Sequence, residues 1–76
     1  MTRELIEYVA RSLIDHPEEL SITEIDEDGT TVYQLHVSPR DIGKVIGRRG
    51  RVARALRTLL KVSAIQNQKR SILEID

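Results

Sequence analysis

The chain has 76 residues, no cysteine and equal numbers of basic and acidic side chains, so its formal net charge is zero. A chain of this length forms one domain, here expected over residues 1–76, and buries only about 60% of the surface that its unfolded form exposes. Such a thin core leaves no space for a deep, water-excluding catalytic cavity. We therefore expect a protein that is not an enzyme.

The composition predicts no metal site, no other cofactor and no membrane span. Without cysteine the chain can form neither a disulfide nor a thiolate metal site, and His16 and His36 lack the spacing of metal ligands. The acids between residues 24 and 28 lack the spacing of a calcium loop. The longest apolar runs are far shorter than the ~20 residues that span a bilayer. The absence of cysteine and of a signal peptide favours the cytoplasm.

The charge is unevenly distributed along the chain. Residues 40–61 contain eight of the 12 cations and one acid, which gives +7, and the remainder carries four cations and 11 acids, which gives −7. Local field rather than net charge attracts a polyanion. A neutral chain with this distribution can still bind nucleic acid.

The first predicted element is an amphipathic helix. Thr2 can cap its N-terminus, and Pro17 ends the helical segment because proline disfavours helical geometry in the residue before it. The apolar residues that recur with helical spacing are Leu5, Ile6, Val9, Ala10, Leu13 and Ile14.

Residues 20–37 are predicted to form a β-hairpin. Tyr33, Leu35 and Val37 alternate with polar residues, which places one apolar face inward. Asp28–Gly29 supplies the turn, since glycine adopts positive φ without steric cost.

A short helix is expected after the hairpin. Ser38 is placed to cap it, Pro39 suits the first helical position, and Asp41 lies three residues after the cap. Ile42, Val45 and Ile46 form its apolar stripe. The helix must be short because two glycines, at positions 47 and 50, interrupt the pattern.

A longer helix is predicted from about Arg51 to Ala64, followed by a polar loop at 66–69 and a strand from Ser71 to Ile75. The expected order is therefore α-β-β-α-α-β. The residues expected on the buried face of the long helix are Val52, Ala55, Leu56, Leu59 and Leu60. The basic residues on its other side are Arg51, Arg54, Arg57 and Lys61.

The segment between the two helices has the features of an anion site. Residues 42–52 read Ile-Gly-Lys-Val-Ile-Gly-Arg-Arg-Gly-Arg-Val. Gly47 and Gly50 permit an abrupt turn and close approach of another backbone. The following helix N-terminus offers unpaired N–H groups and a partial positive charge, and Arg48 and Arg49 add fixed charge. The spacing of the glycines matches neither a dinucleotide-binding loop nor a P-loop.

A helix–Gly-x-x-Gly–helix segment preceded by Ile-Gly resembles the KH domain, which clamps about four nucleotides at this loop. The expected element order resembles the type II, bacterial arrangement, an α+β fold in which three helices pack on one face of a mixed three-stranded sheet. The resemblance covers the whole chain. It is greatest to the small, single-domain bacterial KH proteins of the KhpA family.

The resemblance implies binding of single-stranded RNA. The segment from Gly47 to Gly50 would hold phosphates, Gly43 would leave space for a base and Ile46 would offer it an apolar contact. The last strand and residues 67–70 would form the opposite wall. The predicted RNA-binding residues are Gly43, Lys44, Ile46, Gly47, Arg48, Arg49, Gly50, Arg51 and Arg54.

The resemblance also implies a global RNA-binding protein or RNA chaperone that acts as a dimer. The partner would be a second copy or a larger KH-containing protein of the KhpB type. An alternative from the residues themselves is a protein–protein adaptor whose loop is incidental or binds an acidic segment of its partner. Arg40, Arg57 and Lys61 have a simpler alternative role, which is to solvate their helices.

Overall fold

A computed structural model describes residues 2–66 and 69–76 of the chain. The order of helices and strands is the predicted one. The elements are α1 (Thr2–Leu13), β1 (Ser21–Glu27), β2 (Thr30–His36), α2 (Ile42–Ile46), α3 (Arg51–Gln66) and β3 (Arg70–Ile75), with short 3-10 turns at Pro17–Glu19 and Arg48–Gly50.

The three strands form one mixed sheet with β2 in the centre. β1 pairs with β2 in antiparallel orientation and β3 pairs with β2 in parallel orientation. The predicted mixed three-stranded sheet is thus confirmed. Parallel neighbours require a long crossover connection, and here that connection contains both α2 and α3. The turn at residues 47–50 therefore lies in the middle of the crossover.

The core lies between the sheet and the helices. Leu35 is paired with Ile22 and Tyr33 with Leu73, so these four side chains share a face, and all four are buried. The inward direction predicted for Tyr33, Leu35 and Val37 is confirmed. The buried cluster also contains Ile6 and Ala10 of α1, Val45 of α2, and Leu56 and Leu60 of α3.

The hairpin turn agrees with its prediction, whereas the start of α1 does not. Asp28 and Gly29 have φ values of 48° and 80°, the two positive angles that a tight hairpin turn requires. Thr2 is the first residue of α1 rather than its cap. Its hydroxyl lies 2.5 Å from the Ser63 hydroxyl of α3, so this side chain joins two helices.

None of the helices within the described residues has the length and apolarity to cross a membrane.

The start of α2 also differs from the prediction. The helix begins at Ile42, and Pro39 to Asp41 form a turn before it. Ser38 stabilises that turn, since its hydroxyl accepts the Arg40 N–H at 3.3 Å and its carbonyl accepts the Asp41 N–H at 2.7 Å. The Asp41 carboxylate does not cap α2, because it accepts the backbone N–H groups of Asp15 and His16, which follow α1.

The buried face of α3 is rotated from the predicted one. Leu56 and Leu60 are buried as expected, but Ala55 is exposed and Leu59 is 44% exposed. Ala53 and Ala64 are buried in their place. Because Ala53 and Ala64 have small side chains, this side of α3 can approach its neighbours closely. The larger apolar side chain of Leu59 remains partly exposed to solvent.

α3 ends two residues later than expected, because Gln66 belongs to the helix rather than to the predicted loop. The next strand begins at Arg70, one residue before the predicted start. Asn67 and Gln68, the centre of the predicted loop, lie outside the described residues.

Candidate nucleic-acid interface

The backbone between α2 and α3 turns within four residues. Gly47 has φ 78° and ψ 172°, Arg49 has φ 57° and ψ 24°, and Gly50 has φ 71°. The Gly47 N–H donates to the Gly43 carbonyl at 2.9 Å, and the Gly50 N–H donates to the Gly47 carbonyl at 3.1 Å. We call residues 47–50 the RRG corner. It ends one helix and begins the next almost without connecting chain.

The three glycines at positions 43, 47 and 50 differ in how strongly the local backbone favours glycine. A Cβ atom on Gly47 would lie 2.6 Å from Cγ2 of Val52, and the φ and ψ of Gly47 belong to a region that only glycine adopts readily. Gly50 has open space around it, so only its positive φ favours glycine. Gly43 has open space and no positive φ. The fold itself does not require a glycine at position 43.

Arg49 adopts a left-handed conformation, which costs about 1–2 kcal/mol for a residue with a Cβ atom. The Arg54 guanidinium donates a hydrogen bond to the Arg49 carbonyl at 2.7 Å, which helps to hold this conformation. Backbone strain of this kind concentrates at sites that clamp ligands. Arg54 thus supports the RRG corner in addition to adding charge beside it.

The arginines around the corner are exposed and are not neutralised by the acids of the chain. Within residues 2–66 and 69–76, no carboxylate lies within ion-pair distance of Arg48, Arg49, Arg51 or Arg54. Arg40, by contrast, lies 3.6 Å from Glu19. The four guanidinium groups create a local positive field that remains available to a polyanion.

Lys44 differs from these arginines. Its ammonium pairs with the Asp15 carboxylate and lies 3.8 Å from Oδ1 of Asp41. The hydrogen bond with Asp15 is the main reason why the pKa of Lys44 lies above its ordinary value. The predicted phosphate ligand at position 44 is therefore already paired within the chain.

Beside the corner, α2 presents a small apolar surface. Gly43 and Ile46 are three residues apart and exposed, so they share one face of the helix, whereas Val45 is fully buried. Open space above Gly43 next to the Ile46 side chain can accept a flat apolar group.

A groove of about 570 Å³ lies between α3 and β3. Its apolar lining includes Leu60, Ile65 and Ile72, and the Arg57 guanidinium donates to the Leu73 carbonyl at 3.5 Å. β3 therefore forms one side of this groove and α3 forms the other. The role of the last strand as a wall of an RNA site stays a prediction. The basic residues that line the groove are Arg57, Lys61, Lys69 and Arg70.

The sequence reasoning missed the apolar part of this groove. Ile65 is exposed near the end of α3, and Ile72 lies on the opposite face of β3 from the buried Leu73. The sequence did contain a signal for an apolar residue on each face of β3, because Ile72 and Leu73 are consecutive. A strand with only one buried face alternates apolar and polar residues.

Apolar side chains are also exposed on α1 and on α3. Leu5 is 43% exposed, Leu59 is 44% exposed and Val62 is 51% exposed. The hydrogen bond between Thr2 and Ser63 holds the two helices side by side, one turn from Leu5 on α1 and one turn from Leu59 on α3. We call Leu5, Leu59 and Val62 the apolar helix face.

The sequence matches the model of the family described as "KhpA/KhpB, KH domain" over residues 3–75. The chain belongs to this family. The predicted resemblance to KH domains of the KhpA type is thereby confirmed, and the RRG corner occupies the Gly-x-x-Gly position on which the resemblance was based.

Relatives within the KhpA/KhpB family agree over nearly the whole chain. The RNA-binding protein KhpA of Treponema pallidum (strain Nichols) is 52% identical over 75 residues, which cover 99% of this chain and 94% of that protein. The proteins of the same name from Clostridium perfringens and Borreliella burgdorferi are 44% and 47% identical, and the matches cover 96% and 95% of this chain and 97% and 88% of those proteins.

Proposed function

We propose that this chain is a type II KH domain spanning residues 1–76, with its three helices on one face of the sheet, that binds single-stranded RNA at the RRG corner. The observation that carries the proposal is the combination of a strained, exposed turn with four arginines that no carboxylate of the described chain neutralises. Membership of a family whose relatives are named RNA-binding proteins supports it. The role is one of binding rather than catalysis.

Each part of the corner has a role in this proposal. The glycines at 47 and 50 let the RNA backbone approach, and Arg48 and Arg49 donate hydrogen bonds to its phosphates, for which the planar guanidinium is well suited. Arg51 and Arg54 contact flanking phosphates. Lys44 is paired with acids, so we expect it to contribute least among the predicted cations.

Bases are proposed to lie over α2 and then along the groove between α3 and β3. Gly43 leaves space for a base and Ile46 packs against it. Arg57 lies one turn and Lys61 two turns beyond Arg54 on α3, and both continue the row of positive charge into the groove. The apolar part of the groove lining is aliphatic, so contact with bases depends on apolar packing rather than on aromatic stacking.

The proposed active form is a dimer, and the apolar helix face is the surface proposed to pair. A single clamp contacts few nucleotides and binds weakly, whereas two clamps on one RNA raise affinity through effective concentration. Exposed leucine and valine side chains on adjacent helices support pairing with a second copy or with a KhpB-type protein. The resulting protein would act broadly on RNA, as an RNA chaperone does.

Replacing Arg48 and Arg49 together with aspartate tests the RNA site. We expect affinity for a single-stranded RNA to fall at least 100-fold, because two phosphate contacts are lost and two repulsive charges are added. Fluorescence anisotropy with a labelled RNA of mixed sequence measures the affinity, and circular dichroism measures the helix content, which should not change.

Single substitutions with equal charge change provide the control. Arg48→Asp should weaken RNA binding strongly, whereas Arg11→Asp, on exposed α1 where Arg11 pairs with Glu7, should change it about twofold or less. Unchanged RNA binding in the double variant would reject the RNA site. It would favour the alternative, an adaptor that acts through the apolar helix face.

Leu59→Asp tests the dimer. We expect it to give a monomer in light scattering after size exclusion, because a charge is placed on the apolar helix face. Affinity should fall about 100-fold for a long RNA and stay constant for a short one. Ile72→Asp is the matched control for oligomeric state alone, since Ile72 is 49% exposed but lies on β3, and the variant should have the oligomeric state of the parent protein. Its RNA affinity is not compared, because Ile72 lines the groove proposed for bases. A Leu59→Asp variant that remains a dimer would exclude this face.

A further inference from the structure

The Asp41 side chain joins the end of α1 to the start of α2. It is only 1% exposed, and its two carboxylate oxygens accept the N–H groups of Asp15 at 3.2 Å and His16 at 2.9 Å. Its backbone carbonyl accepts the N–H groups of Lys44 and Val45 at 2.9 and 3.3 Å and so begins α2. One buried residue thus fixes the position of the helix that leads into the RRG corner.

Lys44 belongs to the same network, since its ammonium bridges the carboxylates of Asp15 and Asp41. Burial raises the pKa of Asp41, but the two backbone hydrogen bonds from Asp15 and His16 and the charge of Lys44 outweigh it, so the pKa lies below its ordinary value. The Asp41 carboxylate is therefore charged at neutral pH and available to hold Lys44.

We propose that Asp15, Asp41 and Lys44 form a brace that positions α2 for RNA, and that Lys44 acts as a positioning residue without contacting a phosphate. The inference rests on the proposed function, because it concerns the same interface. It assigns to Lys44 a different role from that of the four arginines, whose side chains have no acidic partner within the described residues.

The shortness of α2 explains why a brace is needed. A helix of five residues is not stable by itself, and only Val45 on it is fully buried. The orientation of Gly43, Ile46 and Gly47 therefore depends on the contacts at the start of the helix. Small displacements of positioning groups are sufficient to weaken an interaction that requires defined geometry.

Simple charge attraction and the brace predict different results for two surface variants. If Lys44 contacts a phosphate, Lys44→Met should weaken binding and also reduce the slope of log affinity against log salt by about 0.7. If it braces α2, binding should weaken by about threefold with the slope unchanged. Asp15→Asn removes a negative charge, so attraction alone predicts tighter RNA binding, whereas the brace predicts about twofold weaker binding.

The experiment is a salt titration of RNA affinity for the parent protein, Lys44→Met, Asp15→Asn and Arg48→Met, with one labelled single-stranded RNA. Arg48→Met is the matched control and should reduce the slope by about 0.7. Position 44 and position 15 are both at the surface, so both variants should fold, as circular dichroism will check.

The outcomes separate the brace from the function on which it rests. A Lys44→Met slope that falls as much as that of Arg48→Met overturns the brace, as does unchanged affinity in Lys44→Met or tighter binding in Asp15→Asn. An unchanged slope in Arg48→Met instead contradicts the proposed RNA site.

Discussion

Two tight turns in this chain place a charged residue with positive φ immediately before a glycine with positive φ. Asp28–Gly29 joins β1 to β2 with angles of 48° and 80°, and Arg49–Gly50 joins α2 to α3 with angles of 57° and 71°. The hairpin turn follows Asp26 and Glu27, whereas arginines surround the other turn. A pair of positive φ angles thus occurs once in an acidic and once in a basic setting.

The two turns share positive φ angles but differ in a further glycine and in the charge around them. The hairpin turn needs positive φ only to reverse the chain. The RRG corner contains an additional glycine, Gly47, at a point where a side chain would collide with Val52. The neighbouring arginines add the charge that the hairpin lacks. The two regions differ in this additional glycine and in the sign of the surrounding charge, and substitutions can test each difference.

The largest expected effect on stability is that of Gly47→Ala. The new methyl group would overlap Val52, and the backbone at 47 is in a region nearly restricted to glycine. We expect a loss of about 2–4 kcal/mol in the free energy of unfolding, measured by urea denaturation. A loss below about 1 kcal/mol would show that the corner relaxes easily and would weaken the contrast with the hairpin.

A smaller and equal effect is expected for Gly50→Ala and Gly29→Ala. Both glycines have positive φ and open space, so each substitution costs only backbone strain, about 1–2 kcal/mol. RNA affinity should separate the two variants, since strain at position 50 distorts the RRG corner and strain at position 29 does not. Equal RNA affinity in both would indicate that the geometry of the corner does not matter for binding.

The smallest expected change in stability is a gain, for Gly43→Ala. Position 43 lies inside α2 with open space and no positive φ. Alanine should therefore stabilise the protein by about 0.5–1 kcal/mol. If a base occupies the space above residue 43, RNA affinity should fall in the same variant. A more stable variant with unchanged RNA affinity would remove Gly43 from the proposed interface.

The parts of the fold that sequence analysis predicted correctly depend on local signals. Alternation identified the inward face of β2, and Asp28–Gly29 identified the hairpin turn. The spacing of Gly47 and Gly50 identified the RRG corner. Each of these features is determined by residues within a few positions of one another, which a pattern can detect.

The features that were not predicted depend on residues far apart in the chain. Asp41 binds the backbone of residues 15 and 16 instead of capping its own helix, and Lys44 pairs with Asp15. The exposure of Leu59 depends on how α3 is rotated against its neighbours. Helical periodicity shows that a stripe is apolar but not how much of it the folded chain covers.

The parallel pairing of β2 with β3 has a consequence for how the protein is made. The backbone of residue 76 exchanges hydrogen bonds with Val37 and Leu35 at 3.0 and 2.9 Å, so the segment from 70 to 76 completes the sheet beneath the crossover. During translation that segment emerges from the ribosome after the RRG corner. A nascent chain therefore carries the arginines of the corner before β3 can pair with β2.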